Sequence, residues 1–160
     1  MSETFKRQPN RIQNYNYSQR GAYFITVCAK GHAPLFGEIT VEANSVQHQL
    51  SDIGLVVAKT IANIPEIYDM VEVDRYIIMP NHVHVILQIC GAHCAPILCA
   101  PTISRVIKQC KEYVTKQIDF SPWQKSFHDH VIRNQEEYNR IAEYIENNPA
   151  RWTEDRYFTG

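Results

Sequence analysis

His82 and His84 flank a single valine in the stretch Met79-Pro80-Asn81-His82-Val83-His84-Val85-Ile86-Leu87-Gln88-Ile89. On an extended strand, side chains alternate between faces. Val83, Val85, Leu87 and Ile89 therefore share one face, and His82 and His84 project together from the other. Two imidazoles side by side supply half of a divalent metal site and need one or two further ligands from elsewhere in the chain. The triplet alone is satisfied more simply by two histidines on a solvated sheet face. Its place at the start of a strongly apolar strand favours chemistry instead.

The last stretch with helical periodicity offers the missing groups. Asn134 is placed to cap it, Glu137 to reach back as in a capping box, and Asn147-Asn148-Pro149 to end it. At about 100° per residue, Tyr138, Ala142 and Ile145 fall on one stripe with Ile141 at its edge, which makes Tyr138 a packing residue. Tyr144 lies roughly 120° away, and Asn148 shares its side one turn later. Pro149 biases Asn148 out of helical geometry, which loosens that spacing. Two histidines, an amide oxygen and a tyrosine form a coherent set. Mg²⁺ or Mn²⁺ accepts such ligands and offsets charge at a phosphodiester, whereas a tyrosine hydroxyl, with a pKa near 10, is a weak nucleophile unaided.

The elements that must position these groups can be read from periodicity. Tyr23 to Cys28 is a strand rich in aromatic and β-branched residues, and a shorter strand is expected around Leu35 to Thr40. Leu50, Ile53, Val56, Val57 and Ile61 recur at helical spacing within Gln47 to Asn63, with Pro65 as the stop. Met70 to Met79 is a third strand, Pro80-Asn81 a tight turn, and His82 to Ile89 the fourth strand. Thr102 can cap a helix with the stripe Ile103, Val106, Ile107, Cys110 and Val114. Its other face carries Arg105, Lys108, Lys111 and Lys116, which without a partner reads as a solvated face. Ser121 to Ile132 is a turn and a short extended segment. This order predicts an α+β fold: a ferredoxin-like antiparallel sheet with helices packed mainly on one face. One domain spans 1–160, with a polar arm over 1–20 and a loop over 90–101.

Composition sets the class. The chain of 160 residues, 44% hydrophobic and 21% charged, has room for a core and the balance of an ordinary soluble domain. No apolar run approaches membrane-spanning length and the first residues lack a signal peptide's apolar core, so a cytoplasmic location without a membrane partner is expected. Five cysteines, an odd number, argue against a disulfide framework. The spacing of Cys90, Cys94 and Cys99 fits no common zinc knuckle, and the repeated Cys-Ala-Pro reads as a loop. A net charge of −1 neither requires nor excludes nucleic acid.

Met79-Pro80-Asn81-His82-Val83-His84 resembles the His-hydrophobic-His motif of the single-tyrosine HUH transposases, and the whole chain resembles their REP-associated tyrosine transposase (RAYT) branch. Arg11 to Ser18 followed by Gly21 to Cys28 is similar to the family's opening. Trp123-Gln124-Lys125, His130 to Asn134 and Tyr144-Ile145-Glu146-Asn147-Asn148-Pro149 are similar to its ending. The resemblance implies an HUH endonuclease fold, a divalent metal, Mg²⁺ or Mn²⁺, held by His82 and His84, and Tyr144 as nucleophile on single-stranded DNA near hairpin-forming repeats. The products would be a 5′-phosphotyrosine and a free 3′-hydroxyl. Related transposases have a glutamine as third ligand where this chain has Asn148.

In that light Arg105, Lys108, Lys111, Arg133 and Arg140 are candidates to track DNA phosphates, and Phe127 or Trp123 to stack a base, with core packing the simpler role for both aromatics. Monomer and homodimer both fit the resemblance. Two readings compete with the transposase: a protein of the same fold that binds hairpin DNA without cutting it, and an unrelated zinc protein using the cysteine loop.

Overall fold

Strands Gly21–Cys28 (β1) and His82–Ile89 (β5) lie at the centre of an antiparallel sheet, flanked by Val71–Met79 (β4) and His128–Ile132 (β6) in the order β4-β5-β1-β6. The computed structural model describes residues 21–90 and 102–159. The arm over 1–20, with the stretch Arg11 to Ser18, and the loop from residue 91 onward lie outside the described residues. Pro80 and Asn81 make the turn between β4 and β5, so that Met79 pairs with His82. The register across β1 sets Cys28 against His82 and Thr26 against His84. A slip of one residue would put both histidines on the opposite face.

Each sheet face has its own cover. Asp52–Ala62 (α1) and Ile103–Ile118 (α3) lie against Val27, Val83 and Val85, with Val57, Ile61, Ile107 and Val114 in the same apolar layer. Ser51 caps α1 by accepting from the Gly54 amide, and Thr102 caps α3 by accepting from the Arg105 amide. Burial of Ile103, Val106, Ile107 and Val114, at about 1.5–3 kcal/mol each, anchors an otherwise lysine-rich helix. Cys110, expected in that stripe, is only partly buried. Helix Gln135–Asn147 (α4) instead covers the histidine face, where the Tyr144 ring meets Phe24 and His84. The helices named so far thus lie mainly on one face, as expected, and α4 gives the histidine face a cover of its own.

Three local expectations change. Gln47 does not begin a helix: Gly37–Glu42 (β2) and Ser45–Leu50 (β3) form a separate two-stranded hairpin, and α1 starts after Ser51. Pro65 does not stop α1 but sits in the first turn of a short helix, Ile64–Ile67 (α2), where its missing N–H costs nothing. Asn148 keeps helical dihedrals as the C-cap of α4 despite the following proline, so the spacing from Tyr144 holds.

Candidate active site

Both histidines are sealed in the sheet, His82 at 0% and His84 at 2% exposure. Their rings are adjacent, with centroids 4.6 Å apart. Each ring is held through Nδ1. His84 Nδ1 lies 2.8 Å from Thr26 Oγ1, its neighbour across the β1–β5 ladder. His82 Nδ1 lies 2.8 Å from Asn81 Oδ1. The Asn81 amide nitrogen donates to the carbonyls of Tyr157 at 2.6 Å and His32 at 3.3 Å, so its oxygen must be the acceptor facing His82. His82 therefore carries its proton on Nδ1 and presents a lone pair at Nε2. Such support fixes tautomer and ring direction in metal-binding histidines.

Burial keeps both rings neutral. It pushes the pKa of His82 down to about 2, with the His84 and His32 charges adding to the effect, and that of His84 to about 3, assisted by Arg156. His82 Nε2 and Asn148 Oδ1 are buried with no hydrogen-bond partner among the described residues. Unpaired buried polar atoms are costly unless something fills the role.

Asp155 supplies a third group that nothing in the sequence pointed to. One ligand atom each from His82, His84 and Asp155 lies within 4.8 Å of the others. The carboxylate is nearly inaccessible, with Oδ2 3.9 Å from His82 Nε2 and Oδ1 accepting from the Tyr157 amide at 2.8 Å. Neither motif nor periodicity marks Asp155. It arrives through a 3₁₀ turn at Trp152–Glu154 that follows α4. The buried Trp152 and the Tyr157 ring, 4.5 Å from that of His82, close this side of the site. Thr26 and Asn81 were also unforeseen as ring supports. The nearest signal was Asn81's place beside His82.

Tyr144 stands at the edge of this cluster, its hydroxyl 3.4 Å from His84 Nε2 and the residue 42% exposed. Burial and the Asp155 charge push its pKa up, while the Asn148 amide and the Arg156 charge act the other way. Tyr144, Asn148, Asp155 and Arg140 line one cleft of about 480 Å³. Tyr138 is engaged elsewhere. Its hydroxyl donates to Asp74 and accepts from Arg75, and Arg75 also pairs with Glu146, so these contacts tie α4 to β4.

The expected basic residues do not form one track. Arg140 borders the Tyr144 cleft, and Arg133 lies exposed just after β6. Arg105 and Lys108 point outward from α3, on the far side of the sheet. Lys111 is half-buried and donates to the carbonyls of Gln124 at 2.7 Å and Ser126 at 3.4 Å. Trp123 and Phe127 are buried in the core, not offered for stacking. Cys90 begins the cysteine loop eight residues along β5 from His82, roughly 26 Å away by strand rise.

No family model matches the chain. An uncharacterized protein of Haemophilus influenzae is 34% identical over 171 aligned positions, which cover 95% of this chain and 93% of that protein. This chain belongs to the same family. Among solved structures, the REP-associated tyrosine transposase bound to a REP hairpin aligns with a TM-score of 0.64 at 20% identity, over 89% of this chain and 74% of that one. The family member described here thus has the fold of that transposase. No helix among its described residues is long and apolar enough to cross a membrane.

Proposed function

We propose that this protein is a metal-dependent enzyme that nicks and rejoins single-stranded DNA near hairpin-forming repeats, a transposase of the REP-associated tyrosine type. The observation that carries the reading is the meeting of Tyr144 with two neutral, oriented histidines and Asp155 at one cleft. The groups fit a divalent cation: His82 Nε2 and Asn148 Oδ1 lack partners among the described residues, and two imidazole nitrogens with a carboxylate and an amide oxygen suit Mg²⁺ or Mn²⁺. His82, His84, Asp155 and Asn148 would hold it. When bound it supplies Lewis-acid polarisation of a phosphate oxygen.

The chain's own residues carry the remaining steps. Tyr144 Oη attacks the phosphorus as its proton passes to solvent at the open cleft. The bond from phosphorus to the 3′-oxygen breaks, and that oxygen takes a proton from solvent to become a free 3′-hydroxyl. The 5′-phosphate stays on Tyr144, so the reverse attack by a 3′-hydroxyl reseals a strand without ATP. Arg140 at the rim is placed to receive a flanking phosphate.

The test is covalent trapping with hairpin oligonucleotides from the repeats around the gene, in Mn²⁺, on a denaturing gel. A metal-dependent protein–DNA band that disappears in Tyr144→Phe and persists in Tyr138→Phe is expected. A band that follows Tyr138 instead would overturn the assignment of the nucleophile. Tight hairpin binding with no band under any condition would make the protein a non-cleaving DNA-binding module.

A further inference from the structure

On the sheet face away from Tyr144, a groove of about 670 Å³ runs between α3 and the 121–127 segment. Four of its lining residues are lysines (Lys108, Lys111, Lys116 and Lys125) against a single acid, Glu112. Glu112 is already 3.8 Å from Lys108. The chain as a whole carries a net charge of −1, so this concentration does not reflect general basicity. Lys111 holds the groove together: its ammonium donates to the Gln124 and Ser126 carbonyls, and the Trp123 indole donates to its carbonyl oxygen at 3.2 Å. Lys108, Lys116 and Lys125 remain exposed at the rim.

We propose that this groove binds the sugar-phosphate backbone of the paired stem of a DNA hairpin. The inference rests on the function proposed above and adds where the stem is held. Lys108 and Lys116 are eight residues apart on α3, about 12 Å along the helix axis. That distance matches three to four base-pair steps along a duplex axis, at about 3.4 Å each. The aromatic rings of the groove, Trp123 and Phe127, are 9% and 7% exposed and offer no stacking platform for unpaired bases. The groove therefore suits a backbone and not an unpaired strand. Its outer wall is bonded to the strand end next to the metal-binding groups: the Gln124 amide donates to the Cys28 carbonyl at 3.0 Å, and the Lys30 amide donates to the Pro122 carbonyl at 2.8 Å. Cys28 in turn pairs with His82. A stem seated here lies one strand from the site where its flanking single strand would be cut.

The experiment compares wild type with the triple variant Lys108→Gln/Lys116→Gln/Lys125→Gln, and with Lys59→Gln as a surface control. Hairpin affinity is read by fluorescence anisotropy across a salt series, and the Tyr144 adduct is trapped in parallel at saturating DNA. Removing one lysine–phosphate pair should reduce the slope of log affinity against log salt by about 1. The triple variant should therefore have a slope shallower than wild type by about 3, and it should bind more weakly at every salt concentration. Its melting temperature should stay at the wild-type value. Wild-type slope and affinity in the triple variant would overturn the groove inference while leaving the proposed function standing. Absence of both hairpin binding and adduct in the wild type would overturn the parent reading, and this one with it.

Discussion

His82 and His84 make stability depend on pH, and the sign follows from their burial. Unfolded, each titrates near 6.5, whereas folded they do so at about 2 and about 3. Below pH 6.5 the unfolded chain binds more protons than the folded one, so stability is full above that pH and falls as the pH drops towards 3. In metal-free protein, the proton uptake on unfolding at pH 4–5, taken from the pH dependence of denaturant midpoints, should include about two protons from this pair. His84→Gln should remove about one. For Asp155→Asn, calorimetric titration should show Mn²⁺ affinity reduced by at least about tenfold. Asn148→Ala should shrink the Mn²⁺-induced rise in melting temperature, because it deletes a buried oxygen that has no partner among the described residues. The histidines and Tyr144 were legible because strand and helix periods place them; Asp155 was not, because a lone carboxylate in an irregular segment is positioned only by tertiary contacts.

At the scale of elements, most of the sheet could be read from alternation, and the His82–Ile89 bounds agree to the residue. The Ser45–Leu50 strand could not. Its residues are largely exposed, and on the face shared by Val46, His48 and Leu50 the middle position is polar, so the period-two signal is weak, while Leu50 also fits the first turn of the helix that follows. Only Asn44, in the two-residue turn that joins the two strands, hinted at a hairpin. The entry into α1 contains a tight contact with a testable sign. Gly54 lies in a helix, where alanine is normally better by up to about 1 kcal/mol. Here a Cβ would run into the Phe36 carbonyl oxygen, which is backbone and cannot step aside. Gly54→Ala should therefore destabilise the protein by about 1–3 kcal/mol, measured by urea denaturation. At the other end of the chain, Asn134→Ala should cost about 1 kcal/mol by freeing the Glu137 amide at the start of α4.

Across the whole molecule, the two sheet faces divide the work: one carries the apolar layer with α1 and α3, the other the polar cluster beneath α4 and the closing turn. Charge is also distributed unevenly, which reconciles a nearly neutral chain with a basic groove. Local stability should follow this plan. Native-state hydrogen exchange is expected to be slowest in the central strands β1 and β5. It should be fastest around Val41 and Val46, which are 39% and 42% exposed on a hairpin with no third strand among the described residues. Equal protection of the hairpin and the central strands would contradict this plan.

The pairing of His84 with Tyr144 spans 60 residues, and that of Asn81 with Tyr157 spans 76. A ribosome that has delivered the chain through Ile132 has therefore released every strand of the sheet and both imidazoles, but neither the tyrosine nor the carboxylate. Under the proposed function, a nascent chain at that stage would be unable to cut DNA. Messages broken between the codons for His84 and Tyr144 would likewise yield products that carry both histidines but lack the nucleophile.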